Sequence, residues 1–370
     1  MQIKAAVTRA ARAPQSLETL ELAAPREDEI LVRVLATGVC HTDIAMRDQA
    51  FPVPQPIVLG HEGAGTVVAV GRAVTKVAVG DPVVMSYNSC GVCPSCVEHE
   101  ATYCHDFFGR NFAGLRPDGT SPLAKGGERI HGNFFGQSSF ATHALCHERN
   151  VVKVPRDAPL ERLGPLACGI QTGAGAVINA LKVGVGRSIA VFGTGSVGLS
   201  AIMAARVVGA TTIIGVDLNA QRLALAAELG ATHTLKADAV NVVDEILRIT
   251  GSGVHFALET TANPKVIRQA VESLTLRGEC GLVGASNVGT EVSLDVLHLM
   301  TAGRKLRGIV EGDSVPEVFI PQLIELHRQG RFPYDRMIRF YELDQINQAI
   351  TDSESGVAIK PVVRMPQDPA

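Results

Sequence analysis

SIAVFGTGSVGLSAIMAARVVGATTIIGVD, residues 188–217, decides the fold of this 370-residue chain. Ile189 to Phe192 reads as a short buried strand, and Gly193, Gly195 and Gly198 follow at the G-x-G-x-x-G spacing. The first glycine permits a tight turn, the second lets backbone approach a pyrophosphate, and the third allows close helix–strand packing. N–H groups at the start of the following helix then face the phosphates. A second apolar strand, Thr212 to Val216, ends at Asp217. An acid there accepts hydrogen bonds from the adenosine ribose and repels a 2′-phosphate, which favours NAD over NADP. Arg222 can flank the adenosine with either cofactor. Three glycines alone fit any structural turn; a strand on each side and the acid at the proper distance select dinucleotide binding.

Working outward, strand and helix patterns alternate. QRLALAAELG reads as a helix ending at Gly230, Thr232 to Leu235 as a strand and Val240 to Ile249 as a helix, with Val254 to Leu258 and Cys280 to Val283 as further strands. The expected architecture is α/β, with a mostly parallel sheet covered by helices. Before about residue 155 the texture changes to short Val-rich strands (EILVRVLA, GTVVAVG, DPVVMSY, NVVKVP) broken by glycine and proline turns, which predicts a compact, bent β-rich domain. The length suits two domains.

Composition narrows the function. Hydrophobic residues are 46% and charged residues 19%, as in a folded globular protein. With 34 basic and 37 acidic side chains the formal charge is -3, which gives nucleic acid or an anionic membrane no strong electrostatic hold. The apolar stretch 189–216 carries Arg206 and the nucleotide-binding glycines, so it reads as strand–helix–strand and not as a membrane span. MQIKAAVTRAARAP lacks the apolar run of a signal peptide, and the cytoplasm is the expected compartment.

Four of the eight cysteines, Cys90, Cys93, Cys96 and Cys104, lie in SCGVCPSCVEHEATYC at C-x2-C-x2-C-x7-C spacing. Four thiolates this close can surround one zinc with no position left for water, a structural site. A redox C-x-x-C is the rival, weakened by the third and fourth cysteines. Cys40 in GVCHTD, His61 in VLGHEGAG and Cys168 in PLACGIQTG form a different constellation. Such a Cys2His set leaves one zinc position open for catalysis. By spacing alone these residues divide evenly between metal ligands and buried core; the neighbouring nicotinamide fold makes an open zinc chemically useful. Cys146 and Cys280 read as core.

Together these motifs closely resemble the medium-chain zinc-dependent alcohol dehydrogenases over essentially the whole chain. GPLACGIQTGAG, FFGQSSFATHA and LRGIVEGDSVPEVFIPQLIELHRQGRFPYDRMIRFY look most like the aryl-alcohol (benzyl-alcohol) branch, with allylic, geraniol-type enzymes as the near rival. The resemblance implies a GroES-like catalytic domain over 1–168 with a structural-zinc lobe at 88–105. It implies a Rossmann domain over 169–310 and a segment, 311–370, that returns to complete the first domain. It implies two zincs per subunit, one catalytic (Cys40, His61, Cys168) and one structural (Cys90, Cys93, Cys96, Cys104), with NAD as cofactor. Asp43 would orient His61, Glu62 would sit behind the metal and visit it during ligand exchange, and Thr42 would contact the alcohol oxygen and start the proton path. His41 and Lys360 would approach the pyrophosphate, and Thr172 and Val197 would press the nicotinamide toward a substrate held between the domains.

One departure stands out: many relatives carry a proton-relaying histidine where this chain has Ala45, which leaves His41 as the nearest candidate base. The expected partners are a small hydrophobic alcohol or aldehyde and further copies of the chain, as homodimer or homotetramer. Tyr87, Phe108, Phe112 and Leu299 are candidate pocket walls or core. Two other classes stand beside this reading. A zinc-free quinone reductase would leave Cys40, His61 and Cys168 without purpose; a zinc-stabilised nucleotide-binding scaffold would lack catalysis.

Overall fold

The computed structural model describes residues 1–367. The chain divides into two compact units: Met1–Cys168, Val315–Ile324 and Asp335–Ala370 form the first, and Gly169–Ser314 with Glu325–Tyr334 the second.

In the first unit, a seven-stranded sheet runs in the order Val151–Lys153, Pro82–Met85, Glu62–Val70, Glu29–Gly38, Lys360–Arg364 and Ile338–Glu342, with His143–His147 also paired to Glu29–Gly38. The Val-rich segments thus become strands, as their β-branched side chains favour. Register shifts at Leu31/Val32 and Val34/Ala36 bend the central pair, as bulges do. The bend carries Gly38 opposite Glu62 at the end of the ladder. From there the chain turns into helix His41–Arg47 on one side, while His61 precedes Glu62–Val70 on the other. The C-terminal VAIKPVVRM supplies Lys360–Arg364, antiparallel to Glu29–Gly38, so the end of the chain completes this unit.

The second unit holds a parallel six-stranded sheet in the order His233–Lys236, Thr212–Asp217, Ser188–Phe192, Val254–Glu259, Leu274–Leu282 and Lys305–Gly308. Numbered along the chain, that is 3-2-1-4-5-6, the Rossmann order, whose ligands bind beyond the carboxyl ends of the strands. The helices predicted around Gln221–Leu229 and Val240–Ile249 form as Ala220–Leu229 and Val242–Thr250, each started by an Asn whose side chain accepts from backbone N–H groups.

The returning segment departs from the expected 311–370. Residues 311–314 and 325–334 pack with the nucleotide unit, because Phe332 and Tyr334 are fully buried there and Arg331 donates to the Val207 carbonyl at 3.3 Å. No helix among the described residues is long and apolar enough to cross a membrane.

Candidate active site

Cys40, the adjacent pair His61 and Glu62, and Cys168 come from three separate stretches, yet their ligand atoms all lie within 4.8 Å of one another. Cys40 caps helix His41–Arg47 and is held by Asp43, whose Oδ2 accepts the Cys40 N–H at 3.0 Å. The other Asp43 oxygen, Oδ1, accepts from the Gly60 N–H at 3.0 Å and lies 2.9 Å from His61 Nδ1. One carboxylate therefore fixes both the helix start and the imidazole. With Nδ1 on Asp43, the buried Nε2 of His61 has no hydrogen-bond partner. A buried orphan nitrogen aimed among two thiols and a carboxylate is what a metal ligand looks like before the metal is added, and the donor set suits zinc. The Cys168 side chain holds the Cys40 thiol well below the usual thiol range against the opposing effect of burial, and the charge of Lys360 adds to it.

Two supports were not legible in the motifs. Gln137, in FFGQSS, donates to the carbonyls of His61 and Met85 at 2.9 and 3.0 Å and accepts the Gly63 N–H at 3.1 Å, pinning the turn that carries His61. Glu62 is fully buried and paired with Lys360 Nζ at 2.8 and 2.9 Å. Burial lifts the Glu62 carboxyl to about 7, with Lys360 pulling the other way. Lys360, expected at the pyrophosphate, has its ammonium buried against Glu62, where it compensates a carboxylate that burial would otherwise leave unpaired. Thr42 Oγ1 lies 3.7 Å from Cys40 Sγ, His41 is exposed, and Ala45 packs against the core.

The second cysteine group is built differently. Cys90, Cys93, Cys96 and Cys104 also lie within 4.8 Å of one another, with Sγ–Sγ separations of 3.9 Å (Cys90–Cys96) and 4.0 Å (Cys93–Cys104). Tetrahedral zinc–thiolate geometry requires about 3.8 Å. The N–H groups of Val92 and then Cys93 draw the Cys90 thiol down to about 6 against its burial. Four soft ligands leave no open position, so this group fits a structural zinc.

In the nucleotide unit, a Cβ on Gly198 would lie 1.8 Å from the Gly193 carbonyl oxygen, so only glycine lets the helix Ser196–Val207 pack this closely. At Gly195 a Cβ would meet nothing within 4 Å, and the helix it begins has no side-chain cap. That open cradle over uncapped N–H groups fits a pyrophosphate. Asp217 closes the next strand, with Oδ2 accepting from the Thr194 N–H and hydroxyl at 2.6 and 2.8 Å. Arg222 has a buried Nε without a partner. Thr172 and Val197 are brought together: a Cβ on the intervening Gly173 would lie 1.9 Å from the Val197 carbonyl oxygen.

The comparisons with known proteins agree with this chemistry. Residues 26–156 match the family described as alcohol dehydrogenase GroES-like domain, and residues 196–327 the family described as zinc-binding dehydrogenase. A geraniol dehydrogenase from Castellaniella defragrans is 48% identical over 97% of both chains. The chain belongs to the medium-chain zinc-dependent alcohol dehydrogenases. Two solved structures share its fold throughout. An alcohol dehydrogenase zinc-binding domain protein from Burkholderia ambifaria is 57% identical, with a TM-score of 0.98 over 99% of this chain and 100% of that one. A benzyl alcohol dehydrogenase from Acinetobacter calcoaceticus is 48% identical, with a TM-score of 0.97 over the same shares. The protein is therefore an oxidoreductase that acts on a small alcohol and uses zinc and a nicotinamide dinucleotide.

Proposed function

We propose that the protein interconverts an aromatic primary alcohol and its aldehyde, with NAD accepting and returning the hydride. The observation that carries this reading is a file of aromatic rings that starts at His61. Phe135 stacks on the imidazole at 4.5 Å between centroids, and Phe134 meets it edge-on at 5.7 Å. Phe112 lies 5.1 Å from Phe135, and Phe108 and Phe51 continue the file at 5.5 and 5.6 Å from Phe112. Phe108 is 62% exposed at the outer end. The chain has only 12 Phe, so five of them in one file reaching from a buried metal ligand to solvent is a concentration that packing alone does not require. Stacked and edge-on ring contacts contribute about 0.5–1.5 kcal/mol each beyond area burial, and a substrate ring would extend the series. The likeness to geraniol dehydrogenase favours a second reading, an allylic terpene alcohol, whose flat apolar chain suits the same wall.

On this reading Cys40, His61 and Cys168 hold the catalytic zinc, and Cys90, Cys93, Cys96 and Cys104 the structural one. Zinc held by the first set supplies Lewis acidity, which lowers a hydroxyl pKa and polarises a carbonyl. Asp43 keeps the His61 ring in the tautomer that presents Nε2. Thr42 accepts the hydrogen bond of the alcohol hydroxyl and passes its proton outward, and the exposed His41 receives it where Ala45 cannot. Gly193, Gly195 and Gly198 admit the pyrophosphate, Asp217 and Arg222 meet the adenosine ribose, and Thr172 and Val197 face the nicotinamide. A homodimer or homotetramer is supported by the edge strand Lys305–Gly308 beside the exposed Val296, Leu297 and Met300. Two thiol-rich sites call for a reducing compartment, the cytoplasm.

The test is a kcat/KM series over benzyl alcohol, geraniol, ethanol and cyclohexanol. Benzyl alcohol should lead; geraniol in the lead would install the second reading. Fast ethanol turnover with negligible rates for both would remove the branch assignment, and NADH binding without any turnover would leave a scaffold.

A further inference from the structure

The segment Glu311–Asp313, inside the EGDSVP motif, has φ values of 49, 68 and 49° at Glu311, Gly312 and Asp313. Two non-glycine residues held in the left-handed region on either side of a glycine persist only where their surroundings hold them. The surroundings here are specific. Gly312 is jammed against helix Gly169–Gly175: a Cβ on it would lie 2.5 Å from the Gln171 carbonyl oxygen and 2.9 Å from that of Thr172. Asp313 is anchored by Arg307 at 2.7 Å, and the same guanidinium donates to the Ala180 carbonyl at 3.1 Å.

The product of this corner is a buried carboxylate beneath the helix. Glu311 Oε2 accepts from Gln171 Nε2 at 3.2 Å and from Thr172 Oγ1 at 3.3 Å. Both branches of a threonine sit on Cβ, so fixing the hydroxyl also fixes the methyl. The helix in turn presses on Val197 through Gly173. We propose that Glu311 is a positioning residue for the nicotinamide end of the cofactor, acting through Thr172 and, behind it, Gln171. This rests on the reading of Thr172 and Val197 as the residues that face the nicotinamide.

The test is NADH titration by fluorescence on the zinc-loaded protein, with thermal unfolding and separate KM values for NAD and alcohol. Glu311→Ala should raise the NADH Kd about tenfold, the scale set by hydrogen bonds to a charged acceptor, and raise KM for NAD more than KM for alcohol. Glu311→Gln keeps an acceptor oxygen and should restore Kd to within about threefold of wild type. The double variant with Thr172→Val should bind no more weakly than the worse single one. If Glu311→Ala does not fold, Glu311→Asp, which withdraws the oxygens by one methylene, should give the same rise in Kd. A lowered melting temperature with unchanged Kd in all Glu311 variants would make Glu311 merely structural and overturn the proposal. Thr172→Val weakening NADH while the Glu311 variants do not would also overturn it, and would leave the nicotinamide reading standing; an unchanged Kd in Thr172→Val would remove that reading itself.

Discussion

Removing Asp43 should empty the catalytic zinc site while leaving the lobe site filled. Its carboxylate is 1% exposed and answers three groups: His61 Nδ1, the Gly60 N–H and the Cys40 N–H, at 2.9, 3.0 and 3.0 Å. Asp43→Ala strands all three donors in a buried site. Each hydrogen bond to a charged acceptor is worth about 1.5–3 kcal/mol, and the three share one carboxylate, so their losses overlap to a total of about 3–5 kcal/mol of stability. The metal feels a smaller part. Loss of a partner that orients a ligating histidine lowers affinity about 10–100-fold, or about 1.4–2.7 kcal/mol. Asp43→Asn should fall between, since its carbonyl still serves His61 and Gly60 but its amide cannot accept from Cys40. The assay is zinc retained per chain against rising chelator concentration. The four-cysteine lobe, which Asp43 does not touch, provides the internal reference. If Asp43→Ala gives up its second zinc at the same chelator concentration as wild type, Asp43 does not orient a ligand and the argument fails.

Asp217→Gly should weaken NAD more than NADP, read as the ratio of kcat/KM values; an unchanged ratio would take the ribose role away from Asp217. Cys93→Ser should reduce zinc from two to one per chain and open segment 88–105 to proteolysis, and a protease-resistant variant with two zincs would contradict a structural site. Lys360→Met leaves the buried Glu62 without its cation and should cost about 3–5 kcal/mol in chemical denaturation, while the double variant with Glu62→Gln recovers most of it. No recovery would mean that Lys360 has another task.

Most of the nucleotide unit was legible because its signals are local. The glycine spacing, the apolar strands on either side and the terminal Asp217 lie within thirty residues, and strand Ser188–Phe192 begins one residue from its predicted start. Strand Leu274–Leu282 was read only from Cys280 because its first half is partly exposed and breaks the apolar run. Local spacing also delivered the four-cysteine lobe. Spacing could not decide the other metal group, whose members lie on separate elements and meet only when the bent sheet brings Gly38 opposite Glu62. The pairing of Lys360 with Glu62 was hidden for the same reason: the two are 298 positions apart, and a basic residue in a terminal strand carries no mark of burial. Of the candidate pocket walls, Phe108 and Phe112 join the aromatic file, while Tyr87 packs beside Phe107 and Leu299 against the core of the nucleotide unit. Phe135, which touches His61, gave no periodic signal of its own.

The two cysteine sites also differ in how they carry charge, and this difference explains Lys360. With Cys40 and Cys168 as thiolates and Asp43 and Glu62 ionised, the catalytic set holds four negative charges; Lys360 reduces the sum to -3, in a place where His61 and Glu62 are almost wholly buried. Burying that much uncompensated charge is prohibitive, so without a metal some of these groups must take up protons. A dication brings the sum to -1 and lets both thiols stay ionised. The lobe, by contrast, is open to water around Cys90, Cys93 and Cys96, and backbone N–H groups reach its sulfurs, so four thiolates and a dication need no buried lysine there. Lys360 is thus part of the electrostatics that make an open, buried zinc position tolerable, and its place on the last strand ties the completion of the sheet to the completion of the site.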